Sequence, residues 1–160
     1  MKDKIKTREE AAKIVTLEKA AGKKVGFTNG CFDILHLGHV RYLNETKKDC
    51  DVLVVGLNSD GSVNRLKGDE RPMNGQDSRA EVLAALESVD LVTVFDEDTP
   101  EELIKVLTPD MLFKGGDWKE KEIVGAEHVK GAGGKVKVIF YVEGYSTTKF
   151  IEKIKKEASS

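Results

Sequence analysis

The chain has 160 residues, of which 39% are hydrophobic, 34% charged and only 6% aromatic. Its 26 basic and 28 acidic side chains leave a net charge of −2, which excludes holding nucleic acid by bulk charge and gives no basis for binding a membrane surface. No apolar run approaches the roughly 18 residues of a membrane span, Met1–Arg8 is too charged for a secretory signal, and Cys31 and Cys50 make no disulfide framework.

Thr7 and Glu10 have the spacing of a capping box. They open a helix that sets Ala11, Ile14, Val15 and Leu17 on one stripe, with Gly22 at its end. Lys24–Thr28 reads as a short strand, and a Gly-containing loop, Asn29–Leu37, leads into a helix from Gly38 to Lys48. Asp51–Leu57 is apolar almost throughout, as a strand covered on both faces is. Residues 58–76 are polar and carry Gly61, Gly68, Pro72 and Gly75, so they read as a long connection, functional or poorly ordered. Ser78 and Glu81 form a second capping box, before Val82, Leu83, Leu86 and Val89, and Leu91–Phe95 is the next strand. Thr99 caps another helix, with Pro100 first and Glu101 and Glu102 in its opening turn. Met111–Lys114 is a short strand, Val136–Val142 a longer one, and Thr147–Lys156 a final helix burying Phe150, Ile151 and Ile154.

Strand and helix alternate five times without repeat or linker, which predicts an α/β fold with a five-stranded parallel sheet flanked by helices. Ligands of such folds sit beyond the carboxyl ends of the strands. After the first strand stand His36-Leu37-Gly38-His39, two imidazoles at a helix start whose unpaired N–H groups suit an anion. Gly38 permits close approach of backbone to a ligand, and Gly30 relieves the turn. A zinc site from Cys31, His36 and His39 lacks a suitable fourth ligand, since His128 falls on a polar helix. After the last strand, Tyr145, Ser146, Thr147 and Thr148 with Lys149 form a second candidate phosphate-binding helix start; its plainer reading is an N-cap. Arg65, Lys67 and Arg71 on the long connection, with Arg79 beyond, are candidates to clamp phosphates. Lys114-Gly115-Gly116-Asp117-Trp118 places the single tryptophan where it can support a base or sugar. No G-x-x-x-x-G-K-[ST] loop, G-x-G-x-x-G after the first strand or G-x-S-x-G elbow is present. Two phosphate-facing helix starts without a nucleophile point to group transfer by positioning and electrostatics.

His36-Leu37-Gly38-His39 after Gly30-Cys31-Phe32-Asp33 resembles the HxGH signature of the nucleotidyltransferase superfamily, and Gly144–Lys149 resembles the Ser-Thr-Thr segment of its cytidylyltransferase-like branch. Within that branch, Phe27–Asp33, Gly56–Asp60, Arg65–Gly68, Arg71-Pro72, Arg79–Leu86 and Lys114–Asp117 resemble the D-glycero-β-D-manno-heptose 1-phosphate adenylyltransferases. The resemblance implies a Rossmann-like nucleotidyltransferase domain over 1–160, with an N-terminal helix (1–23), an α/β core (24–143) and the Ser-Thr-Thr motif with its helix (144–160). It implies AMP transfer from ATP, accompanied by Mg2+, to the sugar phosphate. His36, His39 and Lys67 would be catalytic, and Thr28, Asn29, Gly30, Cys31, Phe32, Asp33, Gly38, His39, Asp117, Trp118, Tyr145, Ser146, Thr147 and Thr148 would hold the nucleotide. Asn58, Arg65, Arg79 and Lys114 would hold the sugar phosphate. The resemblance further implies a cytoplasmic homodimer of the stand-alone form, supplied by a separate sugar kinase. The alternative is a CTP-dependent enzyme acting on glycerol 3-phosphate or a related alcohol phosphate, whose family also carries an Asp-Trp like Asp117-Trp118.

Overall fold

The computed structural model describes residues 2–140 and 147–158, without the side chains of Thr148, Lys149, Phe150 and Ala158. Five strands, β1 (Val25–Gly30), β2 (Val52–Asn58), β3 (Leu91–Phe95), β4 (Met111–Gly115) and β5 (Lys135–Ile139), pair in the order β3-β2-β1-β4-β5. All pairs are parallel, with Val25 opposite Val52, Phe27 opposite Leu112 and Val54 opposite Leu91. The expected α/β architecture is therefore present. Helices α1 (Arg8–Ala20), α5 (Glu101–Leu107) and α6 (Ala126–Gly131) share a core with one sheet face through Ala11, Val15, Phe27, Ile104 and Val129. Helices α2 (Leu37–Lys47) and α4 (Gln76–Ala84) cover the other, where Tyr42, Leu43, Leu53, Leu83 and Phe113 meet. Every residue of β2 is buried, which explains its continuous apolar run; each large side chain so covered contributes about 1.5–3 kcal/mol.

Two glycines let the core close on the sheet. A Cβ at Gly26 would lie 2.7 Å from both Cys50 Sγ and the Phe113 ring, and one at Gly56 would lie 2.7 Å from the Phe27 ring. The amino-terminal capping box forms as expected: Glu10 N–H donates to Thr7 Oγ1 at 3.2 Å, and Thr7 N–H donates to Glu10 Oε2 at 2.9 Å.

Several expectations need correction. Residues 58–76 are not one long loop: Ser59 caps an eight-residue helix, α3 (Asp60–Lys67), its Oγ accepting from Ser62 N–H at 3.0 Å. The Ser78–Glu81 pair is no capping box either, because α4 begins at Gln76 with Gly75 before it, leaving Ser78 inside the helix. Leu17 is 70% exposed; the buried stripe of α1 is Ala11 and Val15. Pro100, rather than Thr99, occupies the N-cap of α5, and α2 starts at Leu37 with His36 as N-cap. Strand β5 begins one residue earlier than expected, and its proposed extension over Tyr141 and Val142 lies outside the described residues, as does the burial of Phe150. The last helix, α7 (Thr147–Ala158), exposes Ile154, against expectation. Among the described residues no helix is long and apolar enough to cross a membrane.

Sheet order fixes where a ligand fits. From β1 the chain moves outward to β2 and β3, while β4 and β5 lie on the opposite side. The loops leaving β1 and β4 therefore diverge, opening a crevice at the carboxyl ends of these two strands.

Candidate active site

A cleft of about 700 Å³ occupies that crevice. Its floor is Asn29–Asp33, the end of β1 and the residues just after it, and Leu112–Gly116 at the end of β4. His36, His39 and Thr147 stand at the starts of α2 and α7, while Asn58, Leu66, Lys67 and Arg71 form the wall on the β2 side. Trp118, Ile123 and Val124 form the wall beyond β4, and Asp98–Pro100 contribute from the β3–α5 connection.

The two histidines are stacked, with ring centroids 3.8 Å apart and planes 22° from parallel. Their proximity follows from the local chain: His36 is the N-cap and His39 the third residue of α2, one turn on. Phe32 tilts against His39 at 5.2 Å, and the Phe32 backbone is left-handed at φ 44°, a conformation that costs a non-glycine residue about 1–2 kcal/mol. Burial, with the neighbouring His36 adding to it, pushes His39 down to about 4; burial lowers His36 as well. Both imidazoles are therefore neutral at pH 7, each with one N–H to donate and one nitrogen to accept. His39 Nδ1 is buried and has no hydrogen-bond partner among the described residues. Across the cleft mouth, Thr147 donates its hydroxyl to Ile34 C=O at 3.2 Å, joining the start of α7 to the loop before α2. An anion seated there meets neutral imidazole donors at the start of α2, and the Thr147 hydroxyl can join them only by turning its proton away from Ile34 C=O.

Asp33 is 3% exposed, and its carboxylate is fully engaged. It accepts from Met73 N–H at 2.8 Å, Asn74 N–H at 3.0 Å and Arg71 Nε at 2.6 Å. Burial alone would raise its pKa, but the two amides and the guanidinium together hold it below the usual carboxylate value. Asn74 returns the contact by donating Nδ2 to Asp33 C=O at 2.7 Å. These bonds clasp the segment before α4 against the loop after β1.

The arginine and lysine candidates separate sharply. Lys67 lines the cleft. Lys114 lines it too, with Nζ 5.1 Å from the centre of the Trp118 ring, and burial lowers its pKa. Arg65 does not line the cleft; it donates Nε to Asp98 at 2.7 Å and a second hydrogen bond to Asp96 C=O. Arg79 is 2% exposed and lies beneath the cleft. Its guanidinium donates to Asn74 C=O at 2.9 Å, Cys31 C=O at 2.6 Å, Asn58 C=O at 2.9 Å and Asp60 Oδ1 at 2.7 Å. Arg65 and Arg79, expected on the sugar phosphate, thus have their acceptors within the protein.

Of the expected nucleotide residues, Asn29, Gly30, Cys31, Phe32, Asp33, His39, Trp118 and Thr147 reach the cleft. Thr28 lies behind it, its hydroxyl sharing a 2.7 Å hydrogen bond with Tyr42. Gly38 is buried in the first turn of α2, and Asp117 sits beside the cleft between Gly116 and Trp118 without lining it. Tyr145 and Ser146 lie outside the described residues, as does the side chain of Thr148. Arg71, one of the candidates to clamp phosphates, lines the cleft, and so do Leu66 and the Ile123–Val124 pair, which carry no sequence signal for ligand contact.

The cytidylyltransferase-like family model matches residues 27–153. The "Bifunctional protein HldE" of Geotalea uraniireducens is 55% identical over 152 residues, 95% of this chain and 31% of the relative. That of Geobacter sulfurreducens is 54% identical over 153 residues, 96% of this chain and 31% of the relative. The chain thus spans about a third of the length of these curated relatives. Among solved structures, a lipopolysaccharide core biosynthesis protein from Thermoplasma volcanium is 31% identical, with a TM-score of 0.63 over 78% of this chain and 100% of that one. A pantoate-beta-alanine ligase from Francisella tularensis, 17% identical with a TM-score of 0.56, covers 85% of this chain and 66% of its own, and shares the fold.

Proposed function

The chain belongs to the cytidylyltransferase-like family, and on that premise we propose that it transfers AMP from ATP to D-glycero-β-D-manno-heptose 1-phosphate for a bacterial surface glycan. The observation that carries the reading is the stacked His36–His39 pair at the start of α2, facing Thr147 at the start of α7 over one cleft. The sugar substrate is supported by the relatives at 55% and 54% identity, and by the resemblance of the sequence segments that line this cleft. Those relatives are named bifunctional and are about three times as long, in keeping with one of two activities residing in this portion.

In the proposed reaction an acceptor phosphate oxygen attacks the α-phosphorus of ATP in line. A new P–O bond forms, the bond to the bridging α–β oxygen breaks, and pyrophosphate leaves carrying the negative charge. Neutral His36 and His39 donate hydrogen bonds to the α- and β-phosphate oxygens as charge builds on them. Thr147, with Ser146 and Thr148 beside it in sequence, takes the departing phosphates at the start of α7. The base lies against Trp118 beyond β4, and Lys67 offsets phosphate charge from the opposite wall. Magnesium enters with the triphosphate as part of the substrate; among the described residues no group of three His, Cys, Asp or Glu side chains is gathered to hold a cation. The same reading puts the chain in the cytoplasm as a homodimer, supplied by a separate sugar kinase.

The test is pyrophosphate release with ATP or CTP, each crossed with heptose 1-phosphate or glycerol 3-phosphate. Turnover with ATP and heptose 1-phosphate is expected. Turnover confined to CTP would overturn the proposal in favour of the alcohol phosphate alternative.

A further inference from the structure

Three arginines surround the β2 side of the cleft, and the structure gives each a different employment. Arg65 is tied to Asp98 and Asp96 at the surface. Arg79 is saturated by three carbonyls and Asp60 beneath the floor. Arg71 differs from both. Its side chain is only 14% exposed and lines the cleft, and it spends Nε alone, on Asp33 at 2.6 Å. No described residue accepts a hydrogen bond from its Nη1 or Nη2.

From this we infer that Arg71 is the residue that grips the phosphate of the acceptor, in a two-pronged contact through Nη1 and Nη2. The inference deepens the proposed transferase reading and rests on it. A guanidinium is rarely left nearly buried with unfilled donors, because removing that charge from water is costly unless an anion compensates. Asp33 neutralises Arg71 only through one edge. The carboxylate is itself locked by the Met73 and Asn74 amides, so the fork is held in one orientation before any ligand arrives. A planar fork with two parallel donors matches a phosphate monoester. Arg71 stands on the same wall as Lys67 and Asn58, across the cleft from Trp118, so an anion there approaches the α-phosphate from the side opposite the base. Asp33 is the positioning residue of this pair and Arg71 the binding one.

The experiment compares the full chain with R71Q and R71K. Removing the guanidinium takes one donor from the buried Asp33 carboxylate but leaves its two amide donors, so R71Q should stay folded with a lowered thermal midpoint, checked by circular dichroism at the assay temperature. With heptose 1-phosphate as acceptor, R71Q should lower kcat/KM for the acceptor about 10- to 100-fold, the worth of one charge-assisted pair. The KM for ATP should stay within about twofold, and R71K should recover part of the acceptor term, because it restores charge without the fork. An ATP KM that rises as much as the acceptor's would assign Arg71 to the nucleotide and overturn the inference. So would unchanged kinetics.

A second measurement separates this inference from the substrate assignment. Calorimetric titration of both chains with heptose 1-phosphate, glycerol 3-phosphate and inorganic phosphate should show binding of at least one by the parent chain, weakened about tenfold or more in R71Q. That result stands even if the crossed assay names a different acceptor. Equal affinities in the two chains, or no phosphate binding by the parent chain, would overturn the role of Arg71 by itself.

Discussion

At the scale of single residues, the site works through groups whose protonation the fold has already set. His39 is held neutral down to about 4, so its contribution to a phosphate-binding site is a directed N–H rather than a charge. His39→Ala should reduce turnover about 100-fold or more while the fold is retained, the usual effect of deleting one preorganised donor, on the order of 3 kcal/mol of barrier. Steady-state kinetics beside circular dichroism checks this, and wild-type turnover would sink the assignment. The same group gives stability a pH dependence. Its folded pKa lies below the ordinary 6.5, so the unfolded chain binds more protons and stability falls as the pH drops from 6.5 towards 4. Between about pH 7 and about pH 5, the urea midpoint of the parent chain should therefore fall more than that of His39→Asn. Asp33 acts in the same direction at lower pH: its folded pKa is depressed, so its contribution is present above 3.8 and is lost as the pH falls through its lower folded value. Sequence made the histidine pair legible, since HxGH spacing alone brings two rings to one helix turn. It could not rank the arginines. Which of Arg65, Arg71 and Arg79 faces a ligand depends on Asp98, Asp33 and Asp60, which lie 33, 38 and 19 residues away along the chain.

At the scale of elements, the cleft depends on how tightly strands and helices close. Arg79, from α4, joins the carbonyls that follow β1 and end β2 to the segment before α4. Arg79→Met should lower stability by about 3 kcal/mol, because it strands three carbonyls below the cleft, whereas Arg65→Ala, which breaks only exposed pairs, should cost less than about 1 kcal/mol. Denaturant unfolding of the two variants side by side decides between these roles. Gly26→Ala forces a methyl against Cys50 and Phe113 and should cost about 1–3 kcal/mol. The strands were the most readable elements, because β2 and β3 carry nearly unbroken apolar runs between turn residues. Helix α3 was missed because Gly61 and five polar positions leave only Val63 and Leu66 apolar in eight residues; what defines it is the Ser59 cap, anchored to Asp96 after β3. The Ser78–Glu81 pair misled for the converse reason. Its spacing recurs inside a helix whose start is set by Gly75 and by packing.

At the scale of the whole molecule, strand order divides the cleft into two halves with different duties. β1, α2, β4 and α7 form the half we assign to the nucleotide, while the end of β2, α3 and the segment before α4 form the half we assign to the acceptor. The chain should therefore act on heptose 1-phosphate but release no pyrophosphate from ATP and unphosphorylated heptose; release would show that phosphate is not the nucleophile. The division was foreseeable in outline, since alternating strands and helices imply a crevice at the carboxyl edge. Its contents were not, because they depend on which loops the clasp of Asp33 draws together. That clasp makes residues 59–79 a transplantable cassette. Among its anchors are Asp33 outside the stretch and Asn74 and Arg79 within it: Asp33 accepts from Asn74 through carboxylate and carbonyl alike, and the Arg79 side chain donates to the carbonyls of Cys31 and Asn58. A chimera that takes this stretch from a relative with another phosphate ester, keeping those three residues, should exchange the acceptor and leave nucleotide choice alone. Substrate ranges in such a scaffold can then diversify by swapping one wall.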